Sequence, residues 1–333
     1  MSSPATAITQ RAPESSEAAA AMSTSLAQGS NDSKIVKVGR FSLSFDQGEL
    51  AKKLLLDSDD YLHRMTNAER AIRMSSKRTD ISEEEFRNYV VTHVVDWKDV
   101  EITRLIGDFQ RIDALAKDLF IKLPDPIHMV KTTGQEDIRE AAAYCRGNTI
   151  VLNQGTVFRG PFRTLIHELF HIQSQFDSVK RKELYALIGF TECNEVGLPP
   201  ELAAERLTNP DAPKLNARIH VTVKDKEYDV IPVLLYNASR GWSFFDRLYI
   251  KMMVVENIGT QEKEEWKYQE TEGKALIFDP KECDNFNSQV GNNTRYNFHP
   301  DEVLADNFRF MLLNESVPTP SLTAGIKTLF LKA

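Results

Sequence analysis

Three residues within five positions have the types and spacing to do chemistry together: His167, Glu168 and His171, in the run Thr164-Leu165-Ile166-His167-Glu168-Leu169-Phe170-His171. On an α-helix, positions four apart lie one turn from each other on the same face. Two imidazoles so placed can converge on one ion, with metal–nitrogen distances of about 2.0–2.1 Å. Glu168 then stands beside the metal, where it can hold a water. Such an ion lowers the pKa of a water to about 7 and polarises a carbonyl, so that a carboxylate can take the proton and later deliver it to a leaving amine. The expected chemistry is therefore hydrolysis of a peptide or related amide bond with one Zn2+ per chain. His167 and His171 are the expected ligands and Glu168 the general base.

The chemistry needs a helix, and residues 160–176 read as one. Pro161 suits a first turn and no breaker follows it. Leu165, Leu169, Ile172 and Phe176 recur at helical spacing as an apolar stripe, which puts His167 and His171 on the other face. A zinc site also needs a third protein ligand. The stretch from Phe298 to Phe308 offers one. Pro300 marks a second helix start, Leu304, Phe308, Met311 and Leu312 make an apolar face, and Glu302 and Asp306 lie opposite it one turn apart. Glu302 is the expected metal ligand, and Asp306 is expected to accept the free ring N–H of a ligand histidine. Arg295, Tyr296 and His299 lie just before this helix; of these, Tyr296 and His299 are the expected donors to a developing oxyanion.

HExxH followed by E-x-x-x-D on a later helix resembles the gluzincin group of zinc metallopeptidases, the thermolysin-like clan. The resemblance is local, covering His167 to His171 and Glu302 to Asp306. It implies a zincin-like α+β fold in which a strand near Thr149 to Leu152 forms the sheet edge lining the cleft, with peptide substrate adding to that edge. The two motifs here are separated by about 130 residues, more than is usual in the clan. Glu192, Glu195, Glu201 and Glu205 stand in the interval and are alternative third ligands. His167 to Asp177 also resembles a degenerate metzincin motif with Asp177 as third ligand, but Ser174 stands where that family has the glycine that ends the helix.

Around these helices, the alternation in Ile35 to Phe45 predicts one or two strands. Helices are expected from Ser82, with a capping box to Glu85, to Val95 and from about Val100 to Leu119, where Ile102, Leu105, Ile106, Phe109, Ile112 and Leu115 face a core. Short strands are expected at Ile127 to Val130 and Thr149 to Leu152, the latter ending in a turn at Asn153-Gln154-Gly155. Residues 217–278 read as a β-rich insertion that begins with a hairpin turning at Lys224 to Glu227. The loop Thr208 to Pro213 reads as a connection. The organisation predicted is a disordered tail over 1–34, an α-rich part with short strands over 35–155, and a zinc-binding catalytic part over 156–333.

Bulk properties restrict the partners. A net charge of −7 with 41% hydrophobic residues describes a globular chain without the basic surface that tracks phosphates, so no nucleic acid is expected. Cys145, Cys193 and Cys283 form no C-x-x-C pair and no disulfide framework. No segment reaches the roughly 18 apolar residues of a membrane span, and the Ser- and Ala-rich start lacks a secretory h-region. A cytoplasmic protein with a peptide or protein substrate is expected, with non-classical export as an alternative. Two competing readings are a non-catalytic scaffold that keeps zinc for stability, which would need no Glu168, and a hydrolase of a small non-peptide amide.

Overall fold

A computed structural model describes residues 26–27, 32–57, 60–137, 141–240, 244–260 and 262–331. Most of the expected tail lies outside these residues. Its described parts, Leu26–Ala27 (β1) and the start of Ser33–Val38 (β2), are strands.

The first sheet has the order β1-β2-β3-β4-β6-β5, adding β3 (Phe41–Asp46), β4 (Ile127–Thr132), β5 (Ala143–Arg146) and β6 (Thr149–Asn153). The pairs β3–β4 and β4–β6 are parallel, and β5 runs antiparallel to β6. Side chains alternate between its faces. Met129, Cys145, Ile150 and Leu152 enter the main core, while Val130, Tyr144 and Val151 enter a second cluster. That second cluster is covered by α1 (Gly48–Leu56), α2 (Asp60–Arg64), α3 (Asn67–Arg73) and α4 (Glu83–Val91). Helix α4 is capped by Ser82 Oγ accepting from Glu85 N–H, but Glu85 pairs with Arg78 instead of closing a box.

The other face packs on α5 (Asp99–Leu115) and, after α6 (Gln154–Arg159), on α7 (Phe162–Phe176). The expected turn at Asn153 is the cap of α6, whose Thr156 N–H bonds Asn153 Oδ1. Two residues of the expected apolar faces lie outside: Leu115 and Phe176 are each 47% exposed. Both end their helices, where the apolar stripe runs past the core.

After α8 (Ser178–Leu187) the chain forms a second sheet from β7 (Phe190–Glu192), β8 (Ala217–Val223), β9 (Lys226–Tyr236), β10 (Leu248–Asn257) and β11 (Trp266–Tyr268). Helices α9 (Pro200–Ala203) and α10 (Phe244–Arg247) interrupt it, and the hairpin β12 (Glu270–Thr271) and β13 (Lys274–Ala275) leads to β14 (Ile277–Phe278), which pairs with β10. The predicted hairpin β8–β9 turns through Lys224 and Asp225, with φ of 49° and 64°, the left-handed pair that matches strand twist. One face of this sheet, through Ile219, Val221 and Val254, joins the main core, which runs unbroken across residue 155 from Phe45 and Leu152 to Leu165 and Phe308. Helices α11 (Phe286–Val290), α12 (Pro300–Leu312) and α13 (Pro320–Phe330) close the structure, α12 lying along α7. Among the described residues no helix is long and apolar enough to cross a membrane. The three cysteines are free.

The edge beside α7 differs from expectation. Thr149–Asn153 is an interior strand between β4 and β5, and the edge is β5. The run Thr-Ile-Val-Leu is buried on both faces, as a central strand must be, whereas the short and mixed Ala-Tyr-Cys-Arg suits an edge.

Candidate metal centre

The site is built where α7 and α12 meet. Leu165, Leu169 and Ile172 anchor α7 in the core, and Leu304 and Phe308 anchor α12, Phe308 packing on Phe170 with ring centroids 5.6 Å apart. These contacts turn His167, His171 and Glu302 toward one point. His167 Nε2 lies 3.1 Å from His171 Nε2 and 3.3 Å from Glu302 Oε2, and His171 Nε2 lies 3.7 Å from Glu302 Oε1. Ligand atoms around a tetrahedral zinc stand about 3.3 Å apart when each is about 2.0–2.1 Å from the ion. The spacing fits a metal.

The far side of each imidazole faces a carboxylate. His167 Nδ1 lies 3.3 Å from Asp306 Oδ1, and Asp306 also accepts from Arg309 and, at 2.5 Å, from Thr294 Oγ1. His171 Nδ1 donates to Asp301 Oδ2 at 3.0 Å; Asp301 Oδ1 accepts from Ser174 Oγ at 2.5 Å and Tyr185 Oη at 2.9 Å. In the neutral rings the protons therefore sit on Nδ1, and two Nε2 lone pairs point at each other. Two facing acceptors at 3.1 Å repel unless a cation or a proton lies between them.

The carboxylates around the pair favour protonation of the rings. Burial opposes charge on His171, but the carboxylates of Asp211, Glu302 and Asp301 outweigh it and raise its pKa to about 9. His167 is likewise raised well above its ordinary value, its burial outweighed by Asp306 and Glu302. Burial opposes ionisation of Glu302, Asp301 and Asp306 as well, yet the histidines hold all three below the usual carboxylate range. Burial raises Glu168, with His167 and His171 pulling the other way. Its carboxylate accepts the Cys145 thiol at 3.2 Å, and it lines a cavity of about 800 Å³ shared with His167, Glu302, Asp306 and Tyr296.

The predicted residues fall into two sets. His167, Glu168, His171, Glu302 and Asp306 meet at the site, and Tyr296 stands at the cavity wall, 44% exposed. His299 does not join them. It caps α12, its Nδ1 accepting Asp301 N–H at 3.2 Å, packs edge-on against Tyr185, and lines two neighbouring cavities. Burial pushes its pKa down to about 4. A histidine directly before a proline-started helix is used here as a cap and lies outside the cavity that Tyr296 lines; Arg295 is exposed. The alternative third ligands are engaged elsewhere: Glu192 with Arg181, Glu195 with Arg64, Glu201 with the Ala275 amide, and Glu205 with Asn237 and Tyr249. Asp177 caps α8.

The segment expected to be a plain connection, Thr208 to Pro213, lies across the site. Asn209 Nδ2 donates to Glu302 Oε1 at 2.7 Å, and Asp211 Oδ1 accepts the Cys145 N–H of β5 at 2.5 Å. Sequence reasoning also passed over Asp301, Cys145, Asn209 and Asp211. Asp301 alone had a local signal, a carboxylate beside Glu302 in the first turn of the same helix. No protein-family model, no curated protein and no solved structure matches the chain, so any functional reading rests on this geometry.

Proposed function

We propose that this chain is a zinc-dependent peptidase in which His167, His171 and Glu302 hold the metal and Glu168 is the general base. The reading rests most on the two Nε2 atoms facing each other at 3.1 Å with a carboxylate behind each ring, an arrangement that calls for a shared cation. Zinc fits this His₂Glu donor set and, when bound, would supply Lewis acidity to a carbonyl oxygen and acidity to a water. A site kept only for stability has no use for a buried carboxylate facing its cavity, and Glu168 supports a catalytic reading.

The chain's own residues then have distinct tasks. Glu168 removes a proton from the attacking water and returns it to the leaving nitrogen. Asp301 and Asp306 fix the ligand tautomers, and Asn209 holds Glu302. Tyr296, at the wall, is the donor best placed to meet charge on the carbonyl oxygen. The antiparallel edge β5 passes beside Glu168 and gives an extended peptide a strand to pair with. Two ligand helices beside an antiparallel edge strand support the reading of a zincin-like, gluzincin-type fold. The test is zinc content alongside cleavage of a mixed peptide library. The wild type should hold zinc and cleave, His171→Ala should do neither, and wild type that holds no zinc after reconstitution would end the proposal.

A further inference from the structure

The groove between β5 and α7 is walled off next to the catalytic centre. On one side is the cavity of about 800 Å³ that reaches Ala143 and Tyr144 on β5 and Thr164, His167 and Glu168 on α7. On the other is a cavity of about 420 Å³ that reaches Arg146 at the end of β5, Gly147 just past it, and Ser174 and Gln175 on α7. Both run along the same strand and the same helix, and Pro210 and Asp211 belong to the walls of both. The strap from Thr208 to Pro213 is thus a partition across one track.

The partition is firmly tied. Thr208 N–H and Oγ1 bond Glu69 at 2.7 and 2.9 Å, and Thr208 O accepts from Arg73 at 2.6 Å. Arg73 and Glu69 are fully buried and paired, and Arg73 also pairs with Asp137. Further along, Gln175 donates to Asp211 O at 3.1 Å and Arg206 to Pro213 O at 2.6 Å. At the partition itself Asp211 Oδ1 takes the Cys145 N–H, the ladder donor that a peptide paired on β5 would use to continue. A peptide lying on this edge must therefore end at Asp211.

The charge at the wall selects which end. A terminal carboxylate would meet Asp211, Glu168 and Glu302 together; burial and the neighbouring Glu168 and Glu302 push the Asp211 carboxyl well above the usual carboxylate range, and a terminal ammonium is the counter-charge under which it ionises. The space sets the number of residues. Asp211 and Glu168 present carboxylate oxygens within 4.8 Å of each other. The path from an amino nitrogen through Cα to its own carbonyl carbon covers about 2.5 Å. An ammonium bonded to Asp211 thus brings the first carbonyl of the chain to Glu168.

Resting on the peptidase reading, we propose that Asp211 is the binding residue for the substrate's α-ammonium group and that the enzyme is an aminopeptidase removing one residue at a time. In each turnover water adds its oxygen to the first carbonyl carbon, the C–N bond breaks, and the proton passes through Glu168 to the released amine, leaving a free amino acid and a peptide shorter by one.

The test pairs one hexapeptide with a free N-terminus and the same peptide N-acetylated, given to the zinc-loaded full chain, with products followed by mass spectrometry. Calorimetry of both peptides on zinc-loaded Glu168→Gln gives binding apart from turnover. Stepwise loss of N-terminal residues from the free peptide only, at least tenfold tighter binding of it, and loss of that preference in Asp211→Asn would support the proposal. Asparagine keeps an acceptor for the Cys145 N–H, so the strap should hold, and an unchanged melting temperature checks this. Internal cleavage of the acetylated peptide, or a preference unchanged in Asp211→Asn, would overturn this inference and leave the peptidase reading standing. Zinc-loaded wild type that cleaves neither peptide, with neither bound by Glu168→Gln, would overturn both.

Discussion

Replacing Asp301 with asparagine removes a negative charge from behind His171 while keeping the side chain's size and an acceptor for Ser174 and Tyr185. Two opposing effects follow. The imidazole becomes a poorer ligand, and loss of such a carboxylate partner weakens metal affinity by about 10–100-fold, or about 1.4–2.8 kcal/mol. The metal-free protein also loses one of the groups that hold His171 protonated, after Asp211 and Glu302. With the pKa at about 9, zinc at pH 7 must displace a proton held two units above ambient, an apparent loss of roughly a hundredfold that the variant partly escapes. At pH 9 that relief is nearly gone. Asp301→Asn should therefore weaken zinc binding more at pH 9 than at pH 7, as read by competition with a chromophoric chelator at both pH values. An equal loss at the two, or none, would refute the assignment of Asp301 as the partner that sets the His171 tautomer.

Three other outcomes follow from the same geometry. Arg73→Met leaves Glu69 and Asp137 buried without their cation and should cost about 3–5 kcal/mol in urea unfolding, with the strap becoming open to limited proteolysis near Thr208. His299 has a folded pKa near 4, below its unfolded value, so its contribution is present above about pH 6.5 and lost as pH falls toward 4. That amounts to about 3 kcal/mol, and His299→Asn, which keeps a capping side chain, should flatten the fall in the urea midpoint between pH 7 and 4.5. Asn209→Ala frees Glu302 from its amide and should weaken zinc affinity by about tenfold in the chelator assay, with little change in melting temperature of the metal-free chain.

The parts of the site legible in the sequence were those with a local period. The apolar stripe of Leu165, Leu169 and Ile172 fixes which face His167 and His171 share, and Pro300 with Leu304 and Phe308 does the same for Glu302 and Asp306. The same reasoning found β8 and β9, because the seven residues of β8 alternate cleanly and the eleven of β9 form a long apolar, β-branched run across a two-residue turn. It failed where meaning is tertiary. Asp301 reads as a helix-start carboxylate favoured by the dipole until His171, 130 residues earlier, is placed behind it. The Asn- and Pro-rich strap reads as a connection because nothing local shows that β5 lies beneath it. The four residues of β5 are too few for a period, and the clan resemblance points to the more apolar β6, which is interior.

Metal content of Glu168→Gln, measured by elemental analysis beside wild type and His171→Ala and followed by peptide cleavage on the same samples, tests the central claim most directly. About one zinc per chain is expected in wild type and in Glu168→Gln, little in His171→Ala, and cleavage in wild type alone. Stoichiometric zinc in His171→Ala, or cleavage by Glu168→Gln at the wild-type rate, would contradict it.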